Sequence, residues 1–132
     1  MNNIELRKKV QAAAYNILKK QVFVSPVEVL MEIGVLSSEH YNDWRFGRVP
    51  YLEKVCNTNL SKLSFIMSEL RAYARGMNLK PSRTVYNQYG VKGRKIRLRF
   101  SKSGNPNIEK AYVTHYVNTA LFNKKVADEI KQ

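Results

Sequence analysis

Between positions 70 and 108 the chain carries Arg71, Arg75, Lys80, Arg83, Lys92, Arg94, Lys95, Arg97, Arg99 and Lys102, and not one Asp or Glu. The residues before this stretch are close to charge balance, and so are those after it, so it supplies most of the formal +13 at pH 7. Crowding like charges costs self-repulsion. A phosphate backbone relieves that cost, because each cation that meets a phosphate releases a condensed counterion. The chemistry this segment suggests is therefore electrostatic capture of a polyanion, and nucleic acid is the commonest one.

Groups for covalent or metal chemistry are sparse by comparison. There is one cysteine, Cys56, and two histidines, His40 and His115, with no zinc-ligand spacing and no partner for a disulfide. The ten acids are too scattered for a two-metal nuclease, and no Gly-rich phosphate loop precedes a Lys-Ser or Lys-Thr pair. No metal and no cofactor are expected. His115, Glu109, Arg99 and a nearby tyrosine could supply base, acid and phosphate clamp for a metal-independent RNase. Strand parity instead sets His115 with Ala111, Val113 and Val117 on an apolar face, which favours a packing role and a non-catalytic protein. His40 reads as a surface or packing residue.

Two further constellations stand beside the cationic run. Tyr112 and Tyr116, read as alternate residues of a strand, would interleave with Arg97 and Arg99 on an outer sheet face and could stack the bases of RNA or a single strand. Trp44, Arg45, Phe46, Arg48 and Tyr51 combine large aromatics with arginine, the composition of interface anchors, so they are candidates for a protein partner or a homodimer seam. The competing reading makes Trp44 and Phe46 plugs of a small core.

The elements that must position these residues follow from period and caps. Leu6, Val10, Ala13 and Ile17 recur at helical spacing and predict a helix over residues 2–20. Ser25, Pro26 and Glu28 form a start signal for a helix from Pro26 to Ile33, stopped at Gly34. Ser37 and Ser38 offer a cap before a short helix or turn over Glu39–Phe46, and one more helical turn or two follows over Pro50–Cys56. From Asn59 to Arg75, Leu60, Leu63, Met67, Leu70 and Ala74 mark one helical face, with Ser64, Ser68, Arg71 and Arg75 on the opposite one. After Pro81 the period becomes two. Lys95–Phe100 reads as a strand with Ile96, Leu98 and Phe100 on one side, joined to Arg83–Gln88 through a glycine-bearing tip, and Lys110–Val117 reads as a third strand. Asn118 or Thr119 then caps a last helix bearing Phe122, Val126 and Ile130.

With 132 residues, 44% of them hydrophobic, the chain can bury one core and is expected to form a single domain over 1–132: helical in 1–76, a basic sheet in 81–117, a closing helix in 118–131. The expected class is α+β, an N-terminal helical bundle followed by a three-stranded antiparallel β-meander and a C-terminal helix. A helix followed by a basic-tipped hairpin resembles the winged-helix plan. In that plan Ser64, Ser68, Arg71 and Arg75 face DNA, Lys92, Arg94 and Lys95 form the wing, and Arg83, Arg97, Arg99 and Lys102 add phosphate contacts. Arg71 and Arg75 could alternatively just complement the helix dipole. The chain lacks an apolar run of membrane length and a signal-peptide layout, so a cytoplasmic protein without membrane contact is expected. Duplex DNA is the favoured partner, with RNA second. The alternative role is an accessory subunit, dimeric or not, lending positive charge to a nucleic-acid-processing or nuclease complex.

Overall fold

A computed structural model describes residues 2–131. It is a mixed helix-and-sheet fold: α1 (Asn3–Lys20), β1 (Phe23–Val24), α2 (Pro26–Glu32), α3 (Ser38–Arg45), a 3₁₀ turn (Leu52–Val55), α4 (Leu60–Gly76), β2 (Lys80–Arg83), α5 (Pro106–Val113), β3 (Thr114–Val117) and α6 (Thr119–Lys131). None of the described helices is long and apolar enough to cross a membrane.

The first four helices start where side chains satisfy their free N–H groups. Asn2 Oδ1 accepts from Glu5 N at 2.8 Å, Ser37 Oγ from His40 N at 3.1 Å, and Asn59 Oδ1 from Lys62 N at 2.8 Å. At α2, Ser25 Oγ accepts from Glu28 N at 3.2 Å and donates to Glu28 Oε1 at 2.7 Å, so cap and third residue lock each other. Gly34, at φ +83°, ends that helix and lets Val35 N reach Leu30 O at 2.9 Å.

The apolar stripes of α1 (Leu6, Val10, Ala13, Ala14, Ile17) and α4 (Leu63, Ile66, Leu70, Ala74) are buried where the two helices pack together. Arg7 to Glu69 at 3.2 Å and Lys62 Nζ to Asn3 Oδ1 at 2.6 Å fasten the rim of that contact. Each stripe side chain taken from water contributes about 1.5–3 kcal/mol, so this pair anchors the fold. It leaves the opposite face of α4 free to line a groove.

The second half departs from the meander. The sheet is antiparallel but its order is β1-β3-β2, with Val24 opposite Tyr116 and Pro81 opposite that same Tyr116. Its first strand comes from the helical half. The Lys110–Val117 strand is corrected to a helix that ends at Val113 and a strand that begins at Thr114. Asn105 Oδ1 accepts from Asn107 N at 2.9 Å and Pro106 sits in the first turn, so Asn-Pro starts a helix where period alone suggests extension. The correction also reverses the faces: Tyr112, Thr114 and Tyr116 are buried, while Ala111, Val113, His115 and Val117 are half-buried.

Arg83 ends β2 of the sheet, and the rest of the expected strand pair, residues 84–88 with Lys95–Phe100, is a hairpin arm outside it. Gln88 N donates to Ile96 O and Leu98 N to Tyr86 O, each at 2.8 Å. Beyond Leu98 the backbone groups turn to other partners. Leu52 N donates to Arg99 O at 3.2 Å, Trp44 Nε1 to the same oxygen at 2.8 Å, and Glu53 N to Phe100 O at 2.9 Å. Helix α6 begins where expected, capped by Asn118, but residues 122–130 are all exposed, so it does not close the core.

Candidate functional site

The free face of α4 forms one wall of a groove of about 860 Å³. Ser64, Ser68, Arg71 and Arg75 line it at helical spacing, over a floor of Met67, Ala74 and Leu79. The facing wall comes from β2 (Pro81, Arg83), α5 (Asn107, Lys110, Ala111) and β3 (Thr114, Tyr116). Four cations line this space and no acid does. Tyr116 reports their proximity: burial raises its hydroxyl above the usual pKa, while Arg71 and Arg75 pull it back down.

The groove does not end at Arg83 and Lys110. Both also line an adjoining cleft of about 400 Å³, which adds Arg97. Arg97 in turn lines a depression of about 410 Å³ at the hairpin tip with Lys92, Arg94 and Lys95. Shared lining residues thus link three neighbouring clefts, which together hold the cations from Arg71 to Lys92 and are called the track below. Glu109 is the single acid among these linings, and its carboxylate is engaged: it accepts from Phe100 N at 3.0 Å, Ser101 N at 2.7 Å and the Ser101 hydroxyl. Among the described residues, no cation of 70–108 lies in an ion pair; Arg7–Glu69 and Arg48–Asp43 are the pairs formed.

An aromatic clamp holds the hairpin against α3. Tyr89 N donates to Arg45 O at 2.6 Å. The Arg45 guanidinium lies 3.9 Å from the Tyr89 ring centroid, 5.0 Å from that of Tyr86 and 6.0 Å from that of Tyr41. Its buried Nε has no hydrogen-bond partner among the described residues, so the ring faces supply much of its stabilisation. Burial and a hydrogen bond with Tyr89 push Tyr41 up to about 12. Phe46 meets Tyr89 edge-on at 5.5 Å, and Gly90, at φ +78°, turns the chain beside the Phe46 ring. The cationic tip is therefore mounted on a packed aromatic base.

Of the residues the sequence singles out for phosphate, Arg71, Arg75 and Arg83 meet in the groove, and Lys92, Arg94, Lys95 and Arg97 gather along the hairpin. Arg99 and Lys102 go elsewhere. Arg99 lies 5.5 Å from the Tyr51 ring and donates to Lys102 O at 3.3 Å, while Lys102 lines a largely apolar cleft with Glu53, Leu60 and Ile108. The stacking face of Tyr112 and Tyr116 is corrected. Tyr112 is 1% exposed, stacked on Phe100 at 5.3 Å, with its hydroxyl donating to Glu53 at 2.9 Å, and Tyr116 is 8% exposed. Neither ring offers a face to a base.

The interface reading of Trp44 is corrected in the same way. Trp44 is fully buried against Tyr41, Tyr86 and Phe100, Arg45 and Tyr51 are half-buried, and only Phe46 and Arg48 face outward. Arg48 is paired with Asp43 at 3.3 Å and lies over Phe46. His115 stacks on Phe23 at 5.1 Å and shares a 3.1 Å hydrogen bond with Tyr86 Oη; burial lowers its pKa. With Glu109 and Arg99 bound to other groups, the three do not assemble into a catalytic set. Among the described residues no cluster of three His, Cys, Asp or Glu side chains is placed to hold a metal.

Sequence reasoning missed Lys110 as part of the groove. Its signal was available: Asn107, Lys110, Ala111 and Thr114 share one face once 106–113 is read as a helix behind an Asn-Pro start. No protein-family model, curated protein or solved structure matches the chain, so the site rests on its own geometry.

Proposed function

We propose that this protein binds nucleic acid without catalysis, duplex DNA before RNA, chiefly through phosphate contacts. The observation that carries this reading is the set of cations lining three adjoining clefts, Arg71, Arg75, Arg83 and Lys110, then Arg97, then Lys95, Arg94 and Lys92, with Glu109 the single acid among them. Because these side chains have no acidic partners, their self-repulsion is relieved only by a bound polyanion or by mobile counterions. The burial of Tyr112 and Tyr116 argues against a stacking platform for single strands and leaves phosphate as the main contact. In this reading α4 supplies the groove-facing helix and the hairpin acts as a wing against the backbone, a winged-helix-like use of a fold whose sheet is wired differently. With no Asn or Gln on α4 itself, adenine readout by that helix is poor and sequence preference weak.

Fluorescence anisotropy against labelled duplex DNA, single-stranded DNA and RNA of equal length tests the proposal. Duplex is expected to bind tightest, and an Arg71→Gln/Arg75→Gln/Arg83→Gln variant to lose most of that affinity while its circular dichroism is unchanged. Equal binding by the folded variant would remove the groove from the account, and preference for the single strand would refute the duplex reading.

A further inference from the structure

Helix α6 carries its apolar residues outward. Phe122, Val126 and Ile130 recur every four residues on one face, and they are 47%, 38% and 79% exposed. Every residue from 122 to 130 is exposed, so this length of helix is largely unsupported by the rest of the chain. Isolated helices of such length are marginal in water, and an amphipathic one gains its stability from burying the apolar face against something.

The charges beside the stripe specify what that is. At 3.6 residues per turn, Lys125 and Glu129 flank the stripe on one side, and Asn123 and Ala127 flank it on the other. A two-fold axis at Val126 sets a second α6 antiparallel to the first. Phe122 then meets Ile130 of the second copy, and the same axis brings Lys125 of each copy beside Glu129 of the other. The neutral flanks face each other without repulsion. A surface that complements itself under a two-fold axis is the requirement for an isologous contact, and flanking opposite charges set the orientation of paired helices. The contact also suits a chain of +13, since Lys125 is balanced by Glu129 along the edge of the stripe and Lys124 by Asp128 on the back of the helix.

We infer that α6 is a homodimerisation helix that pairs antiparallel with α6 of a second copy of this chain. The inference does not depend on the nucleic-acid reading, and its test uses no nucleic acid. Sedimentation equilibrium of the full chain, from micromolar to near-millimolar concentration, is expected to fit a monomer–dimer equilibrium. Val126→Glu is expected to abolish the dimer. Lys125→Glu and Glu129→Lys each turn two attractive pairs into repulsive ones, and each is expected to weaken the dimer by about tenfold. An equimolar mixture of these two variants should recover it as a heterodimer, because one helix then bears two acids and the other two bases. That recovery separates cross-helix pairing from any loss of helicity within one chain. A wild-type chain that stays monomeric throughout, a dimer unaffected by Val126→Glu, or a mixture no tighter than its components would overturn the inference.

Discussion

Replacing Glu109 should destabilise the fold without weakening the cationic track, and the two effects can be read separately. Its carboxylate accepts from the backbone N–H groups of Phe100 and Ser101 and from the Ser101 hydroxyl, where Phe100 and Ser101 are each 1% exposed. In Glu109→Ala the two N–H donors lose their acceptor in a place water barely reaches. An unpaired buried donor costs about 1–3 kcal/mol, so the pair amounts to about 2–6 kcal/mol before relaxation lowers it. Against a typical total of about 5–15 kcal/mol this is a large fraction of the stability. Glu109→Gln retains an acceptor oxygen but turns an amide N–H toward a donor, so about half the loss is expected there. Urea unfolding followed by circular dichroism measures the loss, and native-state hydrogen exchange at the Phe100 and Ser101 amides localises it. Because Glu109 is the one acid lining the track, folded Glu109→Gln should bind duplex DNA at least as tightly as the parent. A loss under about 1 kcal/mol in Glu109→Ala, with both amides still protected, would refute the reasoning.

Trp44→Ala removes a fully buried ring and the hydrogen bond to Arg99 O, and should cost about 3–5 kcal/mol, read as a fall in the denaturant midpoint. Cys56 is held up to about 12 by burial first and by Glu53 second, so at pH 8 its alkylation should be on the order of 10³-fold slower in the native protein than in denaturant. Burial lowers the His115 pKa, so the unfolded chain binds the proton more readily. Its contribution is complete above about pH 6.5 and is lost as the pH falls toward the lowered native value. The difference in stability between parent and His115→Gln should therefore shrink on acidification through that window, as followed by urea titrations at several pH values.

The helical half was legible because each element announces itself locally. Asn59, Ser37 and the Ser25–Glu28 pair cap within their own turns, and the α1 stripe is buried as its spacing predicts; on α4 the buried face runs through Ile66, while Leu60, expected on it, is 59% exposed. The second half was legible in its faces more than in its partners. Alternation correctly set Leu98 and Phe100 inward and Lys95, Arg97 and Arg99 outward, yet Ile96 is 44% exposed and the segment joins no sheet. Besides its hairpin bonds to Tyr86 and Gln88 and the nearby Glu109 carboxylate, it hydrogen-bonds to the side chain of Trp44 and the backbone of Leu52 and Glu53, which lie far away in sequence. A two-residue strand such as Phe23–Val24 is too short to show a period at all. The concentration of positive charge was plain in the sequence. The contribution of Lys110 was hidden by reading α5 as a strand, and the same error turned Tyr112 and Tyr116 toward solvent.

The central claim is that the track neutralises phosphates, and the slope of log affinity against log salt concentration counts them. Eight cations line the track, and if six to eight meet phosphate in duplex DNA the slope is about −5 to −7, at about −0.9 per contact. Titrations of the parent and of Arg71→Gln/Arg75→Gln at several salt concentrations are expected to give slopes that differ by about 2. A parent slope near zero, or an unchanged slope in a folded double variant, would contradict the account.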